Sequence, residues 1–400
     1  MRIAVVSPFI DRRHGTERAL AESLERFAQI PGTEIHLYSQ RVEDLEDVVV
    51  AVSSVVQKKV IWHRVSASPG PHLLAFLWWL LANAIHRYWD EAVRGIKYDL
   101  LFSPGINSLA ADAISVHVVF REFYRQVRPQ MRFRGTGLSR WPVLIHRHLY
   151  YRLLCLLERV VYTRSSTALA TVSQHTADSL ATFYGRRDVR VIHHGVDRAT
   201  FSPTKRLERR DFQRDAFQLR PTDFCLLLIG NDWTNKGLPT LLKALCECIE
   251  LPLALLVVGP DDRTEYVNMA EKSGIASKIR FLAPSNDVMQ FYAAADAYVG
   301  PSLEDAFGMP VLEAMACGLP AVASARAGVS EIIRDGHNGF ILPDPEDAIA
   351  LAALLRRLCL DTELRCRLGK AAVETAEAHS WERNANEMWD FLLMARERRA

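Results

Sequence analysis

Short runs of Val, Ile and Leu recur along this chain, each followed by an amphipathic stretch of helix length. No other feature limits the fold as much. The runs predict strands near Ile3–Val6, Glu34–Tyr38, Val60–Arg64, Leu100–Ser103, Ala113–His117, Thr167–Val172 and Val189–His193. In the second half they fall near Cys225–Ile229, Ala254–Val258, Arg280–Leu282, Ala297–Gly300, Ala321–Ala323 and Phe340–Leu342. Continuous apolar runs, rather than strict alternation, indicate strands covered by helices on both faces. Repeated β–α units then imply right-handed crossovers and parallel sheets, an α/β fold.

At 400 residues the chain is long for one such unit, so two doubly wound domains are expected. The predicted division is 1–200, a polar linker over 201–222 bracketed by Pro203 and Pro221, and a second domain from 223 to 380. Two such domains facing one another would place the carboxyl ends of both sheets at an interdomain cleft, the end where ligands bind in these folds. With 49% hydrophobic and 24% charged residues, composition excludes wholesale disorder and a polytopic membrane protein. The seven cysteines are scattered without a C-x-x-C pair, which points to a reducing compartment rather than a disulfide framework. Met1-Arg-Ile-Ala-Val-Val runs straight into a strand without the pattern of an export signal, so a cytoplasmic location is expected.

Charge is unevenly spread. Residues 1–200 carry 26 Lys and Arg against 18 Asp and Glu, and residues 201–400 carry 23 against 29. The basic excess concentrates in 118–164, where ten arginines are opposed only by Glu122 and Glu158 and are interleaved with aromatic residues. Cationic and aromatic side chains together suit an anionic membrane surface, and equally an anionic acceptor or nucleic acid, with a merely solvated face as the plain alternative. The apolar run Leu73–Ile85 is too short to span a bilayer and reads as a core helix in preference to an interfacial one.

Three loops that follow strands hold residues suited to chemistry. After the first strand, Gly15-Thr16-Glu17 opens a helix, where a glycine lets backbone approach an anion. The plain alternative is a β–α turn with Thr16 as N-cap. In the second half, Gly230-Asn231-Asp232-Trp233-Thr234-Asn235-Lys236-Gly237 puts a lysine just before a helix start, where a cation is unfavourable for the helix and more often answers to a ligand, although on this segment alone a solvated lysine is an equal alternative. Most specific is Glu304-Asp305-Ala-Phe307-Gly308-Met309-Pro310-Val-Leu-Glu313. Pro310 starts a short helix whose Gly308 and Met309 amides could hold a diphosphate, while Glu313, one turn in, could accept from a ribose diol. Asp305 could reach a sugar hydroxyl. An acid inside an otherwise apolar stretch is costly to bury without partners, which favours function over structure for Glu313.

In this order the motifs resemble those of the family 4 retaining glycosyltransferases, which have the GT-B fold of two facing Rossmann-like domains. Gly15-Thr16-Glu17 is similar to that family's glycine loop at the donor phosphates. His194-Gly195-Val-Asp197, followed by Phe201-Ser-Pro203, is similar to its interdomain signature, and Lys236-Gly237 to its phosphate-binding lysine. Asp305 and Glu313 match the two acids of its E-x7-E motif, and Ala327-Gly328-Val-Ser-Glu331 with Asn338-Gly339-Phe340 follows in order. His117 matches an active-site position near the transferred sugar, and Ser380-Trp381-Glu382 resembles the start of a terminal helix, 381–400, that returns to the N-terminal domain. Two departures stand out: Asn231 and Asn235 occupy positions where an arginine often assists, leaving Arg12 or Arg13 as candidates, and the first acid is Asp305, with Glu304 beside it.

The resemblance implies transfer of a sugar from a UDP- or GDP-linked donor to a hydroxyl of a lipid-linked or saccharide acceptor in cell-envelope or polysaccharide synthesis. His117 and Asp305 would be catalytic; Gly15, Thr16, Lys236, Gly308, Met309 and Glu313 would bind the donor. No cofactor or metal is expected, because D-x-D, H-E-x-x-H, G-x-G-x-x-G and P-loop patterns are absent from the sequence, and no nucleic-acid partner is expected for such a transferase. A nucleotide-sugar epimerase of the same fold and a non-catalytic nucleotide-sugar or polyanion binder are the alternatives. A glycosidase fits poorly, since its carboxylates must flank the scissile bond roughly 5–9.5 Å apart.

Overall fold

The computed structural model describes residues 1–12, 15–43, 45, 49–51, 60–128, 131 and 141–399. The chain forms two compact units, one of residues 1–193 joined by those from 384 onward, the other of residues 194–383.

The first unit is built on β1 (Arg2–Val6), β2 (Phe9–Ile10), β3 (Glu34–Ser39), β4 (Arg41–Val42), β5 (Val49–Ala51), β6 (Val60–Arg64), β7 (Leu100–Pro104), β8 (Ala113–Val116), β9 (Ala168–Thr171) and β10 (Val189–Val191). Its helices are α1 (Gly15–Phe27), α2 (His72–Val93), α3 (Phe120–Val127), α4 (Trp141–Tyr162) and α5 (Gln174–Tyr184). Eight strands form one sheet in the order β10-β9-β8-β7-β1-β3-β6-β5, and β2 pairs with β4 apart from it. The pairings are parallel; Ala4 of β1, for example, lies opposite His36 of β3 and Leu101 of β7. Alternate residues of β1 feed different cores, Ile3 and Val5 packing with Leu20, Leu24 and Phe27 of α1, Ala4 and Val6 with Trp79 of α2. Burial on both faces is why the strand reads as an unbroken apolar run.

The second unit contains α6 (Pro203–Ala216), β11 (Phe224–Ile229), α7 (Leu238–Glu247), β12 (Leu253–Val258), α8 (Thr264–Lys272), β13 (Ile279–Leu282), α9 (Met289–Ala294), β14 (Ala297–Gly300), α10 (Met309–Ala316), β15 (Ala321–Ser324), β16 (Phe340–Leu342), α11 (Ala348–Leu360), α12 (Thr362–Glu377) and the first residues of α13 (Trp381–Arg399). Its parallel sheet has the order β13-β12-β11-β14-β15-β16. In both sheets the winding reverses direction, between β1 and β7 in the first and between β11 and β14 in the second. Loops that leave the carboxyl ends of two such neighbouring strands diverge and open a crevice, where ligands bind in doubly wound sheets.

All thirteen expected strands are present, and the fold is the α/β, Rossmann-like class read from the sequence. Two expectations are corrected. Residues 201–222 are more than a polar linker: α6 fills most of them, capped by the Ser202 hydroxyl accepting from the Lys205 amide and docked on α9. Its inner face is held by arginines, with Arg210 and Arg214 on Asp296 and Arg214 donating to the Ala294, Arg220 and Asp223 carbonyls. Nor is Leu73–Ile85 a core helix. It lies in α2, where only Trp79, Asn83 and Asp90 are buried and Leu74, Leu77, Trp78, Leu81, Ile85 and Trp89 face outward.

Residues 384–399 of α13 pack in the first unit, where Ala385, Met388, Phe391, Leu392 and Ala395 join the core beneath β1. In the second unit, the segment after His193 runs beside the start of α13: Val196 bridges Ser380, and its amide donates to the His379 carbonyl at 2.9 Å. Gly195 makes that passage possible, since a Cβ there would sit 2.4 Å from the Trp381 nitrogen.

Candidate functional site

In the second unit, the loop after β11 carries Lys236 and the loop after β14 carries Asp305. These strands are the neighbours at which the winding reverses, and before their connections part the two loops touch through the Leu303 amide and the Asn235 carbonyl. Lys236 Nζ lies 2.5 Å from Asp305 Oδ2, both side chains about one-fifth exposed. The sequence reading assigned these residues separately to a phosphate and to a sugar hydroxyl; the structure brings them together as an ion pair. It is Asp305, and not Glu304, that takes the lysine.

The surrounding backbone fixes this pair. Gly237 adopts φ 78° as the N-cap of α7, and a Cβ would lie 1.9 Å from the Pro301 carbonyl oxygen. Only glycine lets the two loops pack this closely. Asn235, which stands where an arginine was looked for, ties them instead: its side-chain amide donates to the Glu304 carbonyl at 2.8 Å, and its own carbonyl accepts from the Leu303 amide at 2.7 Å. Asp261 braces the same turn by accepting from the amides of Asp232 and Trp233. On its other side, the 301–308 loop is bound to the segment after β15, with the Gly328 amide donating to the Asp305 carbonyl and Val329 to Phe307.

Gly308 caps α10 with φ 98°, and Met309 is the first helical residue, with Pro310 following. The opening amides of a helix have no intrahelical acceptor, and its dipole favours an anion there. Glu313, one turn in, is buried, and one carboxylate oxygen accepts from the Tyr292 hydroxyl at 2.7 Å. Tyr292, fully buried in α9, also reaches the Pro310 carbonyl, and burial beside Glu313 pushes its phenol well above its ordinary range. Tyr292 is thus a fixed donor that orients the acid. Sequence reasoning missed Tyr292 and Asp261, and noted Asn235 only as the place of an absent arginine. Asn235 and Asp261 lie in loops at strand ends, where position alone was the available signal; Tyr292 sits in an apolar helix and gave none.

Gly15, Thr16 and His117 belong to the first unit. Gly15 is the first residue of α1, so Thr16 lies inside the helix and is not its N-cap. Arg12, a candidate for the missing arginine, is committed to Glu22 and Glu25 of α1; Arg13 lies outside the described residues. His117 follows β8 immediately, its Nε2 3.2 Å from the Ser115 hydroxyl. Burial pushes its pKa down to about 4, so the ring is neutral near pH 7 and can both donate and accept. Of the basic stretch 118–164, residues 129–130 and 132–140 lie outside the described residues, Arg132, Arg134 and Arg140 among them. Arg121, Arg125, Arg147, Arg152 and Arg159 are exposed. Glu158 is buried and caps α3, accepting from the amides of Phe120 and Arg121 and from the Tyr184 hydroxyl. Among the described residues no helix is long and apolar enough to cross a membrane.

Residues 209–375 match the family described as Glycosyl transferases group 1. A D-inositol 3-phosphate glycosyltransferase of Actinosynnema mirum is 33% identical over 231 residues, covering 53% of this chain and 54% of that protein. The lipopolysaccharide glucosyltransferase WaaG of Escherichia coli is 31% identical over 159 residues, covering 39% and 42%. The chain spans about half the length of the curated relatives it matches. Among solved structures, WaaG superposes over 98% of this chain and 99% of its own with a TM-score of 0.74 at 20% identity. HepE of Anabaena, solved with UDP and glucose, covers 98% and 100% with a TM-score of 0.69 at 18% identity. The chain therefore has the GT-B fold, and its residues 209–375 form a domain of the group 1 glycosyl transferases.

Proposed function

We propose that this protein is a retaining glycosyltransferase that moves a sugar from a nucleotide diphosphate donor to an acceptor hydroxyl in cell-envelope or polysaccharide synthesis. The observation that carries the reading is the Lys236–Asp305 pair at the winding reversal of the second sheet, beside the opening amides of α10 and the buried Glu313. The ammonium and the Gly308 and Met309 amides stabilise the diphosphate as it leaves, placing fixed donors where charge develops, usually the largest catalytic contribution. Glu313, held by Tyr292, accepts from the ribose diol. Asp305 takes a hydroxyl of the donor sugar and keeps Lys236 in place. In the first unit, the resemblance assigns the neutral His117 to the sugar and the Gly15–Thr16 turn to the phosphates. The donor phosphate accepts the acceptor's proton, so neither an enzymic nucleophile nor a metal is required.

Relatives that glycosylate inositol phosphate and lipopolysaccharide, and a structural neighbour that holds UDP with glucose, support a UDP-linked hexose and an envelope or polysaccharide acceptor. The outward apolar residues of α2 and α4, with Arg147, Arg152 and Arg159 nearby, support a seat on an anionic bilayer carrying a lipid-linked acceptor. A thermal-shift series with UDP, GDP, ADP and their sugars, with and without EDTA, tests the donor site. An EDTA-insensitive shift with one nucleotide, lost in Lys236→Ala, is expected. Turnover of that donor without any acceptor, giving an epimer, would instead identify an epimerase, and binding without turnover under any condition a binding protein.

A further inference from the structure

A line of polar side chains in the first unit, buried from His36 to Asp90, plays no part in that reading. It runs along one face of β3 and β6 beneath α2. Arg2 pairs with Glu34 at 2.9 Å, and the other Glu34 oxygen lies 2.8 Å from His36 Nε2. His36 Nδ1 lies 2.8 Å from His63 Nε2, and His63 Nδ1 lies 2.8 Å from Asp90 Oδ2. Asp90, wholly buried, also accepts from the Tyr38 hydroxyl at 2.6 Å on that oxygen and from Arg94 at 2.9 Å on the other.

Donor and acceptor roles along this line can be assigned in turn. A carboxylate paired with arginine only accepts, so His36 Nε2 carries the hydrogen toward Glu34. In a neutral His36, Nδ1 then accepts from His63 Nε2–H. That leaves a lone pair on His63 Nδ1 facing the Asp90 carboxylate at 2.8 Å, two acceptors in contact. The geometry agrees: His63 Nδ1 is buried and makes no hydrogen bond with proper angles despite that distance. A positive charge is missing from the contact. A proton would satisfy His63 and Asp90 alone, but a third ligand atom is also present. His86, one helical turn before Asp90 on α2, sets Nε2 3.9 Å from the same carboxylate oxygen, and the three atoms lie within 4.8 Å of one another.

We infer that His63 Nδ1, His86 Nε2 and Asp90 Oδ2 form a zinc site that clamps α2 to the sheet. Zinc with nitrogen and oxygen ligands at about 2.0–2.1 Å is tetrahedral, which separates its ligand atoms by about 3.3 Å. The observed 2.8 and 3.9 Å bracket that spacing. The outer shell is already in place. His63 donates its other N–H to His36, the Tyr38 ring stacks on the His63 ring at 4.5 Å, and Tyr38 with Arg94 orients the carboxylate. Such partners fix the tautomer and aim of metal ligands. His86 is 29% exposed, which gives the ion an entry and leaves the fourth position to water.

The test is calorimetric titration of ZnCl2 into EDTA-stripped, dialysed full-length protein, with metal content measured on the protein as purified. One zinc per chain is expected to bind tightly and to raise the unfolding midpoint. His86→Ala, which leaves the buried His63 and Asp90 in place, should bind at least about 100-fold more weakly while keeping the native circular dichroism, a loss at the upper end for altering metal-site partners. His72→Ala, an exposed histidine on the same helix, should change nothing. Absence of stoichiometric binding, or equal binding by His86→Ala, overturns the site.

Discussion

At Gly237, a single hydrogen in place of a methyl group decides how two loops meet. Gly237→Ala would force a residue with φ 78° to carry a Cβ against the Pro301 carbonyl. The left-handed conformation alone costs roughly 1–2 kcal/mol for an L-residue. Relief of the clash must move the 301–308 loop, and Asp305 with it. The expected outcome is a loss of more than about 2 kcal/mol in denaturant unfolding together with weakened nucleotide binding. A variant with unchanged affinity for the donor would show that Lys236 and Asp305 do not act as a unit. Glu158 offers a second residue-scale prediction. Its three donors favour the carboxylate, but burial outweighs them and pushes the pKa up to about 7 from an ordinary value of 4.5. A raised pKa means that the native state holds a proton the unfolded chain has released. Its contribution to stability is full below about pH 4.5 and is lost as pH rises through 7. Glu158→Gln should flatten that window in urea melts while destabilising the protein by about 1–3 kcal/mol at pH 4.5, because an amide cannot accept from all three donors. A Gln variant that keeps the wild-type slope would assign the dependence to other groups.

At the scale of elements, what the sequence showed depended on which kind of contact holds each piece. Thirteen of the fourteen strands in the two main sheets were legible, most of them because burial on both faces writes a continuous apolar run. β2, β4 and β5 were missed because two or three residues carry no period to detect. α6 was hidden by its charge: Arg210 and Arg214 do the docking that leucines do elsewhere, through carbonyls and Asp296, so an ordered helix has the composition of a linker. α2 misled in the opposite sense. Its apolar run suggested a core, but a helix at the sheet surface with only three fully buried residues leaves most of that run outside. Loops at strand ends concentrate unusual residues, which is how Lys236, Asp305 and Glu313 were picked out as candidates; the Lys236–Asp305 pairing and the support from Asn235 and Tyr292 are visible only in three dimensions. The exposed face of α2 leads to a prediction of its own. Replacing Leu77, Leu81 and Ile85 together with glutamine should leave the melting curve nearly unchanged, since exposed substitutions usually fall within about 0.5 kcal/mol. Sedimentation with anionic vesicles should drop, and binding unaffected by the triple change would move the lipid-facing surface elsewhere.

For the molecule as a whole, the two units differ in how they are encoded. Residues 194–383 are contiguous and bury their own core, from Leu226 and Leu255 through Leu355 and Leu368. The first unit is completed only by Phe391 and Leu392 and their neighbours, which cover Ile3 and Val5. Expressed alone, 194–383 should unfold cooperatively, whereas a chain lacking residues 384–400 should lose solubility even though each of its strands is retained. Cooperative melting of the second fragment, followed by circular dichroism, with soluble recovery of the truncated chain as its counterpart, checks both statements.

The same division sets an order of events on the ribosome. The first unit begins to emerge before the second, yet it cannot close until residues 384–399 have been made. At about 5–20 residues per second, synthesis of the intervening segment lasts roughly 10–40 s. Throughout that interval the sheet waits with its Ile3–Val5 face open while the later-made unit is free to fold. The half of the protein that is translated first is therefore the half that matures last, and it is the half most in need of a chaperone.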